Sequence, residues 1–181
     1  MRSTLKFLLV LALSLALMFV FRALAFTVYT VDGEGLQPEF EAGDRVMVNR
    51  WSYGLRTGSD EGLFSYGRLL RQPVRKGDIV AYEDPTDSTR SRVLLGRCRA
   101  LPGDTVRYRG RLELVPSLKN CAGADYYWMQ ALGEKNPTDS RELGFVSEQR
   151  IIGRAFLVVY NHDTSAPAWT GYLWNRTLLR K

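Results

Sequence analysis

Lysine is scarce in this chain, and so are the side chains that usually hold metals. Of 25 basic residues only five are lysines (Lys6, Lys76, Lys119, Lys135 and Lys181), and the rest are arginines. A buried lysine can shed its proton and arginine cannot, so chemistry that needs a neutral amine base has few places to reside. The single histidine, His162, and the two cysteines, Cys98 and Cys121, make no metal-ligand spacing. The sequence therefore offers no metal centre and no cofactor site. His162 stands beside Asp163 in a polar stretch and reads as a surface turn residue. A strong excess of one charge is missing too. The net charge is +6, of which Arg2, Lys6 and Arg22 supply +3, leaving residues 27–181 with only +3. That is too weak a field to mark a nucleic-acid binder. With 45% hydrophobic and 24% charged residues, the chain is also no disordered segment.

There is no internal repeat, and there is one long hydrophobic run. Residues 1–6 carry two positive charges, and residues 7–21 are apolar except for Ser14. Arg22 interrupts before Ala23-Leu24-Ala25-Phe26 resumes. Two readings compete. A basic start, an apolar stretch and the Ala-Leu-Ala triplet fit a secretory signal cleaved after Ala25. Alternatively residues 7–26 are a transmembrane signal-anchor: a helix of that length reaches ~30 Å, about the hydrocarbon thickness, and Arg22 snorkels to the interface. In either case the basic N-terminus stays cytoplasmic and the remainder is exported. Export makes Cys98 and Cys121 a candidate disulfide, with two independent buried thiols as the alternative.

Beyond residue 26 no segment sustains a 3.6-residue period. Short β-branched and aromatic runs appear instead at Thr27–Val31, Arg45–Asn49, Asp78–Tyr82, Arg92–Leu101, Thr105–Leu114, Tyr126–Met129, Ile151–Ile152 and Ala155–Tyr160. Gly-Asp pairs at 43–44, 77–78 and 103–104 punctuate them. The pattern predicts a mostly β, antiparallel domain. Residues 54–73, 115–125 and 130–140 read as irregular connections. Arg107, Arg109 and Arg111 alternate, with Arg97 and Arg99 nearby; they are read as a solvated strand face, or as a patch against lipid phosphates or an acidic partner.

Five motifs in order carry a family likeness. Tyr29-Thr-Val-Asp-Gly-Glu-Gly-Leu-Gln-Pro-Glu-Phe40 follows directly on the apolar run. Then come Gly43-Asp-Arg-Val-Met-Val-Asn-Arg50, Val74-Arg-Lys-Gly-Asp-Ile-Val80, Gly96-Arg-Cys-Arg-Ala-Leu-Pro-Gly-Asp104, and Asn136-Pro-Thr-Asp-Ser-Arg-Glu-Leu-Gly144 with Ile152-Gly-Arg-Ala155. In this order they resemble the bacterial type I signal peptidases, a serine peptidase family. The resemblance implies residues 1–6 in the cytoplasm, an anchor at 7–26, and an exported antiparallel β domain over 27–181. It places the chain in the bacterial plasma membrane. It also implies a shallow groove in which a signal peptide lies as an added strand.

The family's chemistry is attack by a serine hydroxyl that a neutral, buried lysine deprotonates. Counted from Pro38, the nucleophile position holds Gly35, whose backbone N–H would remain for an oxyanion pocket. Counted from Pro102-Gly103-Asp104, the general-base position holds Gly96. The supporting hydroxyl position, two before Asp139, holds Pro137. No serine or threonine lies between Val31 and Ala42, and no lysine between Asp78 and Leu118, so shifting the frame restores neither. Loss of nucleophile or base alone costs on the order of 10⁶ in rate. Cys98, two residues from Gly96, could share its face but would need His162 as base; Asp32 and Glu34 form the other substitute pair, as an acid-protease dyad. Glycine at position 96 should widen the groove floor and make it less polar. Asp139 and Arg141 occupy the positions of a structural charge pair that holds the last loop. Three readings of function follow. One is a catalytically silent homologue, in contact with membrane lipid, that binds exported preproteins through their signal peptides or pairs with an active signal peptidase. The others are a working peptidase of unfamiliar mechanism and a purely structural exported module.

Overall fold

The computed structural model describes residues 2–31, 36–57, 66–89, 92–120, 122–133, 138–163, 166–167, 170–176 and 178–180. A 24-residue helix, α1 (Arg2–Ala25), opens the chain. Leucine, alanine, methionine and phenylalanine without glycine or proline favour it, and the β-branched run from Thr27 ends it. The side chains of residues 6–19 are all exposed, from Phe7 and Leu8 to Phe19, and its last residue, Ala25, is buried. Among the described residues no helix is long and apolar enough to cross a membrane. The helix expected there is present; the fold does not by itself make it a membrane span.

Thereafter the chain is mostly strand, as the alternation predicts: β1 (Phe26–Thr30), β2 (Asp44–Asn49), β3 (Leu55–Thr57), β4 (Gly67–Leu69), β5 (Ile79–Glu83), β6 (Val93–Ala100), β7 (Thr105–Tyr108), β8 (Arg111–Leu114) and β9 (Tyr126–Ala131). A one-turn helix α2 (Ser140–Leu143) precedes β10 (Val146–Ser147), β11 (Ile151–Asn161) and β12 (Leu179–Arg180). One antiparallel sheet runs β1-β2-β11-β5-β6-β9-β10, with β12 also on β11.

Three departures from the sequence reading have clear causes. The stretch 54–73 contains the hairpin β3–β4, whose three-residue strands are too short to alternate legibly. Ile151–Ile152 and Ala155–Tyr160 are one strand, because Gly153 lets β11 pass close to β2: a Cβ there would stand 2.2 Å from the Asn49 carbonyl oxygen. Thr105–Leu114 is a hairpin, with positive φ at both Arg109 (49°) and Gly110 (80°), the backbone of a type I′ turn. The arginines at 107, 109 and 111 therefore do not share a strand face. Arg111 pairs with Tyr108 across the hairpin, one residue out of phase with Arg107, and Arg109 lies over the Tyr108 ring at 5.0 Å.

The sheet is covered on both faces, which is why β5 is buried at every position. One face packs Val46, Val48, Ile79, Ala81, Leu95 and Ala155 with Phe40. The other packs Val80, Tyr82, Cys98, Met129, Val146 and Ile151 with Tyr53. A third cluster sets Trp128 against Tyr108 and Phe145, with ring centroids 5.4 and 5.5 Å away. The three Gly-Asp turns share one device. Asp44, Asp78 and Asp104 each accept from the backbone N–H three residues earlier, at Glu41 (2.9 Å), Arg75 (3.1 Å) and Leu101 (2.7 Å). Aspartate suits this because its short carboxylate reaches its own turn.

Candidate functional site

Two strand edges lie on either side of a shallow cavity. β1 is the edge strand of the sheet, bonded only to β2. In β6, Val93, Leu94 and Leu95 pair with β5, but pairing with β9 begins only at Gly96 opposite Ala131. Among the described residues both stretches thus lack a neighbour on one side. A cavity of 220 Å³ lies between them, lined by Tyr29, Val31, Leu36, Val93, Leu95 and Thr138 among others. Its walls are mixed: Tyr29 and Val31, at the end of β1, and Val93 and Leu95 of β6 are the alternate residues that turn toward the first core face, while Thr30, Arg92 and Thr138 add polar groups. Unpaired amides and carbonyls flanking apolar pockets are what an extended peptide needs to add as a strand.

Gly96 does not belong to that cavity. Residues alternate along β6, so Leu95 faces the groove and Gly96 faces the second core, together with Cys98. It is buried, and a Cβ built on it would stand 3.2 Å from Cε1 of Tyr82, 3.2 Å from the Gln130 carbonyl and 3.4 Å from Cβ of Met129. The expectation that glycine widens the groove floor is therefore corrected: the vacated volume is filled by Tyr82, which is fully buried. The Tyr82 hydroxyl has no hydrogen-bond partner among the described residues. Burial, with Asp139 and Asp84 adding to it, raises its pKa well above the ordinary phenol value. Tyr82 gave no warning in the sequence, since an aromatic in a strand is usually core.

Gly35, the nucleophile position and oxyanion candidate, lies outside the described residues, as do Asp32, Glu34, Pro137 and Cys121. Leu36, directly after Gly35, and Thr138, directly after Pro137, both line the groove cavity. Cys98 is a free, fully buried thiol that donates to the Ala100 carbonyl at 3.7 Å; the candidate bond to Cys121 has no support from it. Burial, then Asp78 and Asp104, push its pKa up to about 12. Such a thiol is inert at neutral pH. His162, its only candidate base, sits instead against the Pro167 carbonyl at 3.2 Å and the Tyr172 ring at 4.9 Å. No cluster of metal-ligating side chains occurs among the described residues.

Asp139 and Arg141 are in contact. Nε of Arg141 donates to both Asp139 oxygens at 3.1 and 3.0 Å, and Asp139 also accepts from the backbone N–H of Arg141 (2.8 Å) and Ala131 (3.0 Å). Ser140 Oγ accepts from the Met129 N–H at 2.8 Å. The loop thus satisfies two β9 amides that have no strand beyond them, and this holds it against β9 and the groove. Asp139 is wholly buried, whereas the Arg141 side chain is 60% exposed.

A second buried carboxylate, Asp44, anchors the C-terminal segment. It accepts from Arg176 at 2.6 Å (Nη2) and 3.0 Å (Nε), and from Asn161 at 2.8 Å. Burial alone would raise its pKa, but these bonds and the Glu41 amide outweigh that and hold it below the usual carboxylate range. With a partner 132 residues away, this pair left no local trace in the sequence.

Comparison with known proteins agrees with this arrangement. Residues 3–116 match the family model described as signal peptidase, peptidase S26. The chain is 28% identical over 147 residues to a signal peptidase I of Leptolyngbya laminosa, covering 69% of this chain and 64% of that protein. It is 27% identical over 95 residues to one of Pseudomonas fluorescens, covering 52% of this chain and 31% of the relative. For the signal peptidase I of Pseudomonas aeruginosa the figures are 27% over 200 residues, 80% of this chain and 68% of the relative. The chain thus spans less than two thirds of the first two of these relatives. A family match across both groove-forming strands, over more than half of the chain, carries one conclusion: the chain belongs to the signal peptidase family, peptidase S26.

Proposed function

We propose that this chain is a catalytically silent signal peptidase homologue that binds the signal peptides of exported preproteins in the groove between β1 and β6. The observation that carries the reading is a contrast between two neighbours. Leu95 lines an open groove with unpaired strand edges, while Gly96, at the general-base position, is packed beneath Tyr82 and Met129. Recognition by strand addition needs the first feature only; proton abstraction needs a lysine where the second leaves none.

α1 serves as the membrane anchor in this reading. The described residues alone do not make a span, but the 24 residues of α1 reach ~36 Å at the α-helical rise, the length a ~30 Å hydrocarbon core needs, and residues 7–21 of the sequence are apolar except for Ser14. Its exposed phenylalanines and leucines would otherwise face water. The β domain then sits on the exported side, with the groove near the end of the helix.

The test uses purified full-length protein in detergent and a precursor with a small-x-small cleavage site. The protein is expected to bind the precursor without cutting it. Val93→Arg, which puts a charge into the groove wall, is expected to weaken binding about tenfold, equivalent to ~1.4 kcal/mol. Cleavage by the wild type, absent from a mock purification, would overturn the silent reading. Absence of binding would favour a structural module or a partner peptidase.

A further inference from the structure

A cleft of 650 Å³ lies away from the groove, and neither its cations nor its position are used by peptide binding. Arg75 and Arg154 line it, with Asn49, Gln72, Phe156 and Leu157 among its other walls. The Arg75 guanidinium makes no hydrogen bond or ion pair with any described residue; only its backbone is engaged, its N–H donating to the Asp78 carboxylate and its carbonyl accepting from the Asp78 N–H. Arg154 is tied at one point, with Nε 3.4 Å from Asp78 Oδ1, and its side chain is 49% exposed. Asp78 accepts from Tyr53 Oη (3.0 Å) and the Arg75 amide (3.1 Å). Its carboxylate is thereby held among protein donors and fixes Arg154 at the rim. Two guanidiniums against one engaged carboxylate leave the cleft with a single net positive charge, suited to a monoanion.

Its place in the fold narrows the ligand further. Arg154 pairs with Asn49, and Asn49 pairs with Phe26, the first residue after α1. Arg154 therefore stands two strand spacings, about 10 Å, from the point where the apolar helix ends. The Arg50 N–H bonds the last helical carbonyl, Ala25, at 2.9 Å, and the Phe26 and Phe156 rings lie 6.0 Å apart. Trp51, next in the chain after Arg50, is exposed, as tryptophans at membrane–water interfaces are. Cations at headgroup level above an apolar wall of Phe156 and Leu157 match a lipid in both halves.

We propose that the cleft binds the phosphodiester of an anionic membrane lipid, with Arg75 and Arg154 as its phosphate ligands and Phe156 and Leu157 against the start of an acyl chain. Planar guanidiniums suit phosphate oxygens because they can donate two hydrogen bonds at once. The cleft's place at headgroup level rests on α1 being the anchor. The cleft's chemistry does not.

The experiment is calorimetric titration of the full chain in a neutral detergent with dihexanoyl-phosphatidylglycerol, dihexanoyl-phosphatidylcholine and inorganic phosphate. Saturable binding of the phosphatidylglycerol, at least about tenfold tighter than either other probe, is the expected result. Arg75→Ala, which breaks no bond within the protein, should weaken it about tenfold, and Arg75→Ala with Arg154→Ala should abolish it. Equal affinity for inorganic phosphate would make the cleft a free-anion site and overturn the lipid assignment. Binding indifferent to Arg75→Ala would overturn it as well. Alkaline carbonate extraction of cell membranes tests the anchor separately: a chain released by carbonate contradicts the anchor, while the micellar titration still reads the cleft.

Discussion

Cε1 of Tyr82 lies 3.2 Å from where a Cβ on Gly96 would stand, so a side chain at the position of the missing base presses on a buried neighbour. Restoring the chemistry must therefore create space as well as side chains. Gly35→Ser with Gly96→Lys is expected to destabilise the domain by roughly 1–3 kcal/mol, the usual effect of overpacking, and to remain inert. Adding Tyr82→Ala opens the volume beside Met129 and is expected to bring precursor cleavage above the wild-type background. Denaturant unfolding and a precursor assay on the same preparations check both halves. Activity in the double variant would show that Tyr82 yields without help.

The two ends of the Asp139–Arg141 pair should respond unequally. Asp139→Ala leaves the Arg141 and Ala131 amides without their side-chain acceptor, a loss of about 1–3 kcal/mol for each amide left buried and unsatisfied. Arg141 is largely in water, so Arg141→Ala should cost only ~0–1 kcal/mol. Equilibrium unfolding in urea measures the two, and equal losses would contradict the burial asymmetry.

Asp44 predicts an acid limb. Its folded-state pKa is depressed below 3.8, so the unfolded chain takes up the proton first as pH falls. The stability it contributes is fully present above the unfolded value and is lost as pH drops through the folded one. Arg176→Met removes the strongest cause of the depression and should flatten the stability profile below about pH 4. Urea midpoints between pH 2 and 6 (a range about the carboxylate pKa) would show it; an unchanged slope would count against the pair.

Cys98 should resist alkylation in the native state. With its pKa at about 12, roughly one molecule in 10⁴ is thiolate at pH 8, on the order of 10³-fold below an ordinary thiol. Iodoacetamide labelling of a Cys121→Ser variant isolates this thiol. Rapid labelling without denaturant would reopen it as a nucleophile.

Much of the scaffold was legible along the chain. Gly43-Asp44, Gly77-Asp78 and Gly103-Asp104 announced turns because glycine accepts positive φ and the following aspartate reaches back to its own backbone. The β-branched runs announced strands, and β2, β5 and β6 fall within a residue or two of the expected limits. The hairpin β3–β4 did not show, since two three-residue strands carry no period. The alternating arginines at 107–111 misled, because a two-residue turn inside an alternating run leaves the alternation visible and reverses its meaning.

By itself the sequence determined the order of motifs, the lone apolar helix and the absence of serine and lysine at positions 35 and 96. Those properties reside in single residues and their local spacing, which no folding is needed to read. Only the tertiary structure decided what fills the space over Gly96, which face Leu95 shares with Tyr29, that Arg176 closes on Asp44, and that Arg75 and Arg154 line one cleft. Each of these joins segments separated by tens of residues, and their approach depends on strand register and on how the two core faces pack, neither of which is written in any one stretch of chain.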